Sequence, residues 1–263
     1  MVSRIDLVAD LGESFGAWTM GEDEALLDLL TSANVACGFH AGDPRTMDLT
    51  VRRCVERGIA VGAHPSFPDL AGFGRRAMDL TPDEVRTDVL YQIGALQAFA
   101  TAHGTSVTHV APHGRLGNLV ATRPDYATAV VDAVCALDPS MIVMAQDGCL
   151  ADEARTRGVR VGIVGIADRA YRPDGTLVPR TEPGAVIEDL DELVARTVRM
   201  VVDGVLDAVD GTPIAIAADT VLLHGDNPGA VRTAAAIRAA LDAAGVEIRG
   251  LHSDTVRRDR CPA

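Results

Sequence analysis

At 263 residues, 48% of them hydrophobic, the chain holds enough apolar material for one large domain or two small ones. A formal net charge of −13 argues against nucleic acid or an anionic membrane as partner, and no apolar run reaches the roughly 18 residues a bilayer crossing needs. Its five cysteines are scattered with no C-x-x-C pair, and the N-terminus lacks a signal-peptide layout, so reduced thiols in a cytoplasmic protein are expected.

Arg4 to Asp10 reads as a first short strand, and Glu22 to Leu30 as a helix. The stretch from Ser32 to Asp43 reads as a second strand broken by Gly38, with His40 and Asp43 on the turn behind it. Asp43 before Pro44 is an N-cap followed by a good first helical residue, and the apolar spacing of Met47, Val51, Cys54 and Val55 predicts a helix that Gly58 stops. Ile59 to Ala63 is a third strand with His64 at its end, followed by a Gly/Pro-rich loop through Arg76. Thr81 to Glu84 is a capping box, and Val85, Val89, Ile93, Leu96 and Ala100 mark one face of the next helix. Val107 to Ala111 is a fourth strand leading into His113. Further strands are expected at Met141 to Ala145, Val159 to Ile166, Ile214 to Leu223 (with a break) and Val246 to Leu251. Helices are expected at Pro124 to Leu137, Leu150 to Arg157, Asp189 to Val205 and Asn227 to Ala244.

Strand and helix alternate without a linker, the pattern of one parallel β/α domain. The expectation is a single-domain distorted β/α barrel of about seven strands over residues 1–252, with a polar tail from 253 to 263. An open doubly wound sheet is disfavoured, because polar groups follow nearly every strand and do not gather at one switch point.

In such a barrel, reacting groups come from the carboxyl ends of several strands. Asp10, His40, His64, His113, Asp168 and His224 all stand at or just past such ends, which predicts a functional site on that rim. His103, His109 and His252 are read as ordinary packed or surface histidines, and Cys37 as a buried structural thiol. Arg75 and Arg76 are either a solvated pair or a bidentate holder of an anion. The chain contains no lysine, so no side-chain amine is on hand for a Schiff base. P-loop, G-x-S-x-G and H-E-x-x-H motifs are absent. Asp10 and the rim histidines offer metal-ligand chemistry without any local ligand spacing.

Asp10-Leu-Gly-Glu13-Ser-Phe-Gly, the run from Ser32 to Asp43, Gly62-Ala-His-Pro-Ser-Phe-Pro-Asp69, Gly72-Phe-Gly-Arg-Arg76, Pro112-His-Gly114, Ala167-Asp-Arg-Ala-Tyr171, Leu177-Val-Pro-Arg180 and His224-Gly-Asp226 together resemble the LamB/YcsF family. The resemblance implies a barrel similar to the glycoside hydrolase/deacetylase group. It also implies ring opening of 5-oxoproline to glutamate, coupled to hydrolysis of ATP with Mg2+, alongside partner subunits B and C. From residue type and place on the rim, Asp10, His40, His64 and His113 are the expected catalytic residues, with His40 or His64 as general base, Asp10 as its orienting partner and His113 polarising the lactam oxygen, while Glu13, Asp43 or Asp226 are expected to position water or Mg2+ on the ATP phosphates. Glu13, Asn34, Asp43, Arg75, Arg76, Asp168, Arg169, Arg180, His224 and Asp226 are the expected substrate or ATP contacts, with no intrinsic metal motif.

The chain departs from the family pattern at Gly12, where Asn is usual, and at Ala111 and Gly117, where Lys and Tyr are usual beside His113; Arg115 is new. Two other readings stay open: a metal-dependent amidohydrolase or deacetylase working without ATP, and a noncatalytic subunit of a larger complex.

Overall fold

The computed structural model describes residues 4–225 and 229–254. Its strands are β1 (Arg4–Leu11), β2 (Ser32–Ala36), β3 (Ala60–His64), β4 (His109–Val110), β5 (Ile142–Ala145), β6 (Val161–Ile166), β7 (Val205–Asp207), β8 (Pro213–Ala215), β9 (Thr220–Leu223) and β10 (Glu247–Ile248). The helices are α1 (Asp23–Leu27), α2 (Pro44–Arg57), α3 (Pro82–Ala102), α4 (Gly114–Val120), α5 (Pro124–Leu137), α6 (Cys149–Thr156), α7 (Leu190–Val202) and α8 (Ala230–Ala243).

Seven parallel strands close the barrel in the order β1-β2-β3-β4-β5-β6-β9, with β9 pairing back onto β1. The short β10 adds to the start of β1 through Arg4 and Ile5. Helices cover the outside, and apolar residues from both layers form one continuous core. No described helix is long and apolar enough to cross a membrane.

Local chemistry explains the elements. The Asp43 carboxylate accepts from the Arg45 and Thr46 amides to start α2, and Gly58 ends it in the left-handed region at φ 69°. Thr81 and Glu84 form a complete capping box for α3, whose expected apolar face is buried throughout. The stretch read as one broken strand from Ile214 divides. Residues 213–215 form β8 and pair antiparallel with β7 outside the barrel, and only residues 220–223 enter it as β9. Helix α4 is an element not expected from the sequence; with Gly114 and Gly117 in seven residues it carries little helical signal.

The closing seam is polar. Asp6 of β1 is buried and accepts from Thr31 Oγ1 at 2.6 Å, Ser32 Oγ at 2.7 Å and Thr220 Oγ1 at 2.8 Å, so one carboxylate links β2 to β9. Burial outweighs these bonds and raises the Asp6 pKa.

Candidate active site

Asp10 in β1, His64 at the end of β3, His113 just past β4 and His224 just past β9 line one cavity of about 710 Å³ at the carboxyl end of the barrel. His40 lies behind His113, their rings stacked with centroids 3.8 Å apart and 5° between planes. Glu13, His40, His64 and His113 are all buried, and each offers a ligand atom within 4.8 Å of the others.

The surrounding carbonyls fix the imidazole tautomers. His64 Nδ1 donates to Ala111 O, and His113 Nε2 donates to Phe73 O at 2.9 Å. In the neutral rings, His64 Nε2 and His113 Nδ1 are then both lone pairs, and they face each other at 2.9 Å. Asp10 Oδ1 is 3.2 Å from His64 Nε2, and Glu13 Oε1 is 3.5 Å from His113 Nδ1 and 3.1 Å from His40 Nε2. Burial, reinforced by neighbouring histidines, pushes the pKa of His40 and of His113 well below the imidazole range, so a shared proton on either ring is disfavoured. His40 Nδ1 is buried without a hydrogen-bond partner among the described residues. Several acceptors therefore converge on a point that needs a cation. Three imidazoles and a carboxylate are a donor set suited to a divalent transition metal.

A second pair reaches the same cavity through His224. His224 Nδ1 donates to Asp168, with Oδ1 at 2.8 Å and Oδ2 at 3.0 Å. Burial opposes the imidazolium, but Asp168 and, at longer range, Asp10 outweigh it and raise the His224 pKa. Burial likewise opposes the Asp10 charge, and positive charge at His64 foremost outweighs it, so the carboxyl is held well below its usual range when a proton or a cation sits at that ring. Asp10 is ionised, and the imidazolium form of His224 is favoured.

Beneath Asp10 runs a buried polar chain. Asn34 Nδ2 donates to Asp10 Oδ1 at 2.9 Å, and His109 Nε2 donates to Asn34 Oδ1 at 3.0 Å. Burial lowers the His109 pKa to about 3, which keeps it neutral. Its ring crosses the barrel over Gly62, where a Cβ would stand 1.9 Å from Nε2. His109 is packed and satisfied, as expected, and it also holds the side chain that holds Asp10. A polar residue at an inward strand position opposite a glycine is the sequence signal for it.

Other expected contacts are placed as follows. Arg75, Arg169 and Arg180 line the cavity, and Asn34 contributes to its floor. Arg76 pairs instead with Asp69 and is 67% exposed. Asp43 is occupied in capping α2, and it accepts from Gly16 N at 2.8 Å. Asp226 lies outside the described residues. Cys37 is buried, its thiol pushed up to about 12 by burial and bonded to Val35 O.

The expected cofactor is corrected. The family resemblance implies ATP, and through it Mg2+, with no intrinsic metal motif and with Glu13, Asp43 or Asp226 placing water or the ion. Glu13 is instead built into a buried cluster with three histidines, and Asp43 serves a helix end. The cluster is itself a metal-type site. It is hidden in the sequence because its members come from the carboxyl end of one strand and the loops behind three others, so no local spacing marks them.

Similar proteins agree with this architecture. The chain is 54% identical over 249 residues to a protein from Mycobacterium avium named as the A subunit of 5-oxoprolinase, covering 94% of this chain and 99% of that one. It is 50% identical over 246 residues to a protein of the same name from Pyrococcus furiosus, covering 93% and 96%. Among solved structures, the lactam utilization protein from Thermus thermophilus superposes with a TM-score of 0.88 at 46% identity, over 94% of this chain and 99% of that one. A family 4 carbohydrate esterase from Streptomyces lividans shares the fold, with a TM-score of 0.52 at 13% identity over 99% and 98%. The LamB/YcsF family profile matches residues 5–256, and the chain belongs to that family.

Proposed function

We propose that the chain opens the ring of 5-oxoproline by metal-assisted amide hydrolysis, working in a complex with B and C subunits. The observation that carries this reading is the buried cluster of Glu13, His40, His64 and His113, which reaches one cavity through His64 and His113, where Asp10 and the His224 of the Asp168–His224 pair also stand. The substrate and the role within a complex rest on the names of relatives at about half identity.

A lactam carbonyl is a poor electrophile and needs polarisation, an activated water and a proton for the departing nitrogen. When bound by Glu13, His40, His64 and His113, a divalent ion supplies Lewis acidity to an amide carbonyl and to water. His64, spent as a ligand, is then no general base, and that role falls to Asp10. Its carboxylate takes a proton as the water oxygen bonds to the lactam carbon. As the C–N bond breaks, His224 Nε2 gives its proton to the ring nitrogen, and Asp168 stabilises the imidazolium beforehand. Asn34 and His109 keep the Asp10 carboxylate in place. The products are one amine and one new carboxylate, which is glutamate.

The test is glutamate release from 5-oxoproline by the chain with its partner subunits, run with and without ATP, before and after removal of divalent metal by a chelator. Loss on chelation and recovery on adding Zn2+ or Mn2+ is the expected result. Full activity in the chelated complex contradicts the metal-assisted reading. Activity of the partners without this chain contradicts its catalytic role.

A further inference from the structure

Four arginines line the cavity of this acidic chain: Arg75, Arg115, Arg169 and Arg180. Two have evident structural or electrostatic duties. Arg169 is buried and donates from Nε to Ala185 O and from Nη2 to Val178 O, which holds the 167–187 loop together. Arg180 stands in the field of Asp168, the partner of His224. Arg75 lies 4.9 Å over the Phe73 ring.

Arg115 differs. Its backbone N–H donates to Gly74 O at 2.9 Å, which sets it on the first turn of α4, two residues past His113. Its Nε is buried and has no hydrogen-bond partner among the described residues. A buried, unmatched N–H of a permanently charged group is costly unless an anion completes it. Two of the acidic groups that line the cavity are engaged elsewhere: Asp147 meets Arg155 at 3.1 Å, and Asp174 accepts from the Thr176 amide and hydroxyl. Gly114, between His113 and Arg115, has no room for a side chain: a Cβ there would come 2.6 Å from Gly74 O and 3.7 Å from Arg75 Cγ. Arg75, His113 and Arg115 all line the same cavity.

We propose that Arg115, supported by Arg75, is the subsite that captures the substrate carboxylate. This rests on the lactam reading above and specifies it: the ring carbonyl faces the cluster while its carboxylate reaches the Arg115 fork. A guanidinium fits a carboxylate through two parallel N–H bonds, which gives both affinity and orientation. Arg115 then sets the preference for a lactam acid over a plain lactam.

The test compares 5-oxoproline with 2-pyrrolidinone, the same ring without the carboxylate. Native chain, Arg115→Gln and Arg115→Lys are measured by calorimetric binding and by turnover with the partner subunits. Arg115→Gln is expected to lower the preference for 5-oxoproline about 10- to 100-fold, mainly through KM, as loss of a charge-assisted hydrogen bond implies. Arg115→Lys is expected to recover part of it. An unchanged preference with normal turnover overturns the subsite and leaves the lactam reading standing. Binding that depends on Arg115 without turnover overturns the lactam reading and leaves the subsite standing. No binding of 5-oxoproline by the native chain overturns both.

Discussion

His64 shows how one side chain is fixed from both sides. Its Nδ1 is held by the Ala111 carbonyl, so Nε2 has to face Asp10 and His113. His64→Ala removes a ligand and leaves the backbone, which Pro65 and the β3 ladder define, unchanged. Turnover is expected to fall by about 100-fold or more, since loss of even the outer partners of a metal site costs about 10–100-fold, with little change in the thermal midpoint. Near-native kcat in that variant would exclude His64 from the chemistry. His224 gives a pH prediction. The Asp168 carboxylate raises its pKa, so the acid form survives to higher pH and is lost only as pH rises through that raised value. Asp168→Asn removes the anion, and the alkaline limb of kcat/KM against pH is expected to move to lower pH. A limb that stays in place would show that another group supplies the proton. Most of these residues were legible, because a histidine or aspartate at or just past a strand end is a local pattern. Their division into cluster and acid pair was not legible, since it depends on which carbonyl or carboxylate each ring meets across the barrel.

Element boundaries followed local chemistry where that chemistry was strong. Helices α2 and α5 fall on their expected limits because proline opens both, and Asp43 and Gly58 mark the two ends of α2. The hairpin of β7 and β8 is invisible in the sequence because three-residue strands carry too little periodicity to show. Strand β3 carries a testable constraint. Gly62 gives way to the His109 ring, and Gly62→Ala would place a methyl 1.9 Å from Nε2. The expected cost is about 1–3 kcal/mol in urea unfolding, together with loss of the Asn34 contact to Asp10. An unperturbed variant would mean that His109 can move freely. Gly117 is similarly constrained: a Cβ there would lie 2.4 Å from Pro112 O, so the tyrosine usual in the family requires α4 to shift. At the seam, Asp6 has its folded pKa raised by burial. The folded state then binds the proton more tightly than the unfolded one. Its contribution to stability is therefore greatest at low pH, and it falls as pH rises from the unfolded value of about 3.9 through the raised folded value. Asp6→Asn is expected to remove that segment from the difference between native and variant stability curves. Parallel curves would contradict the assignment.

At the scale of the whole molecule, the barrel was readable because nearly every strand is followed by a polar residue at its carboxyl end. Seven strands close on β1, and this closure turns residues scattered from Asp10 to His224 into one cavity wall. Sequence order could not show that Glu13, His40, His64 and His113 meet, because contact between them exists only once β1, β2, β3 and β4 stand side by side. The central claim is that this meeting point holds a divalent ion. It is tested most directly by elemental analysis of the chain after loading with Zn2+ and exhaustive dialysis, for the native protein and for His113→Asn. About one ion per native chain, and far less in the variant, is the predicted result. A native chain that retains none, or a variant that retains as much as the native chain, would contradict it.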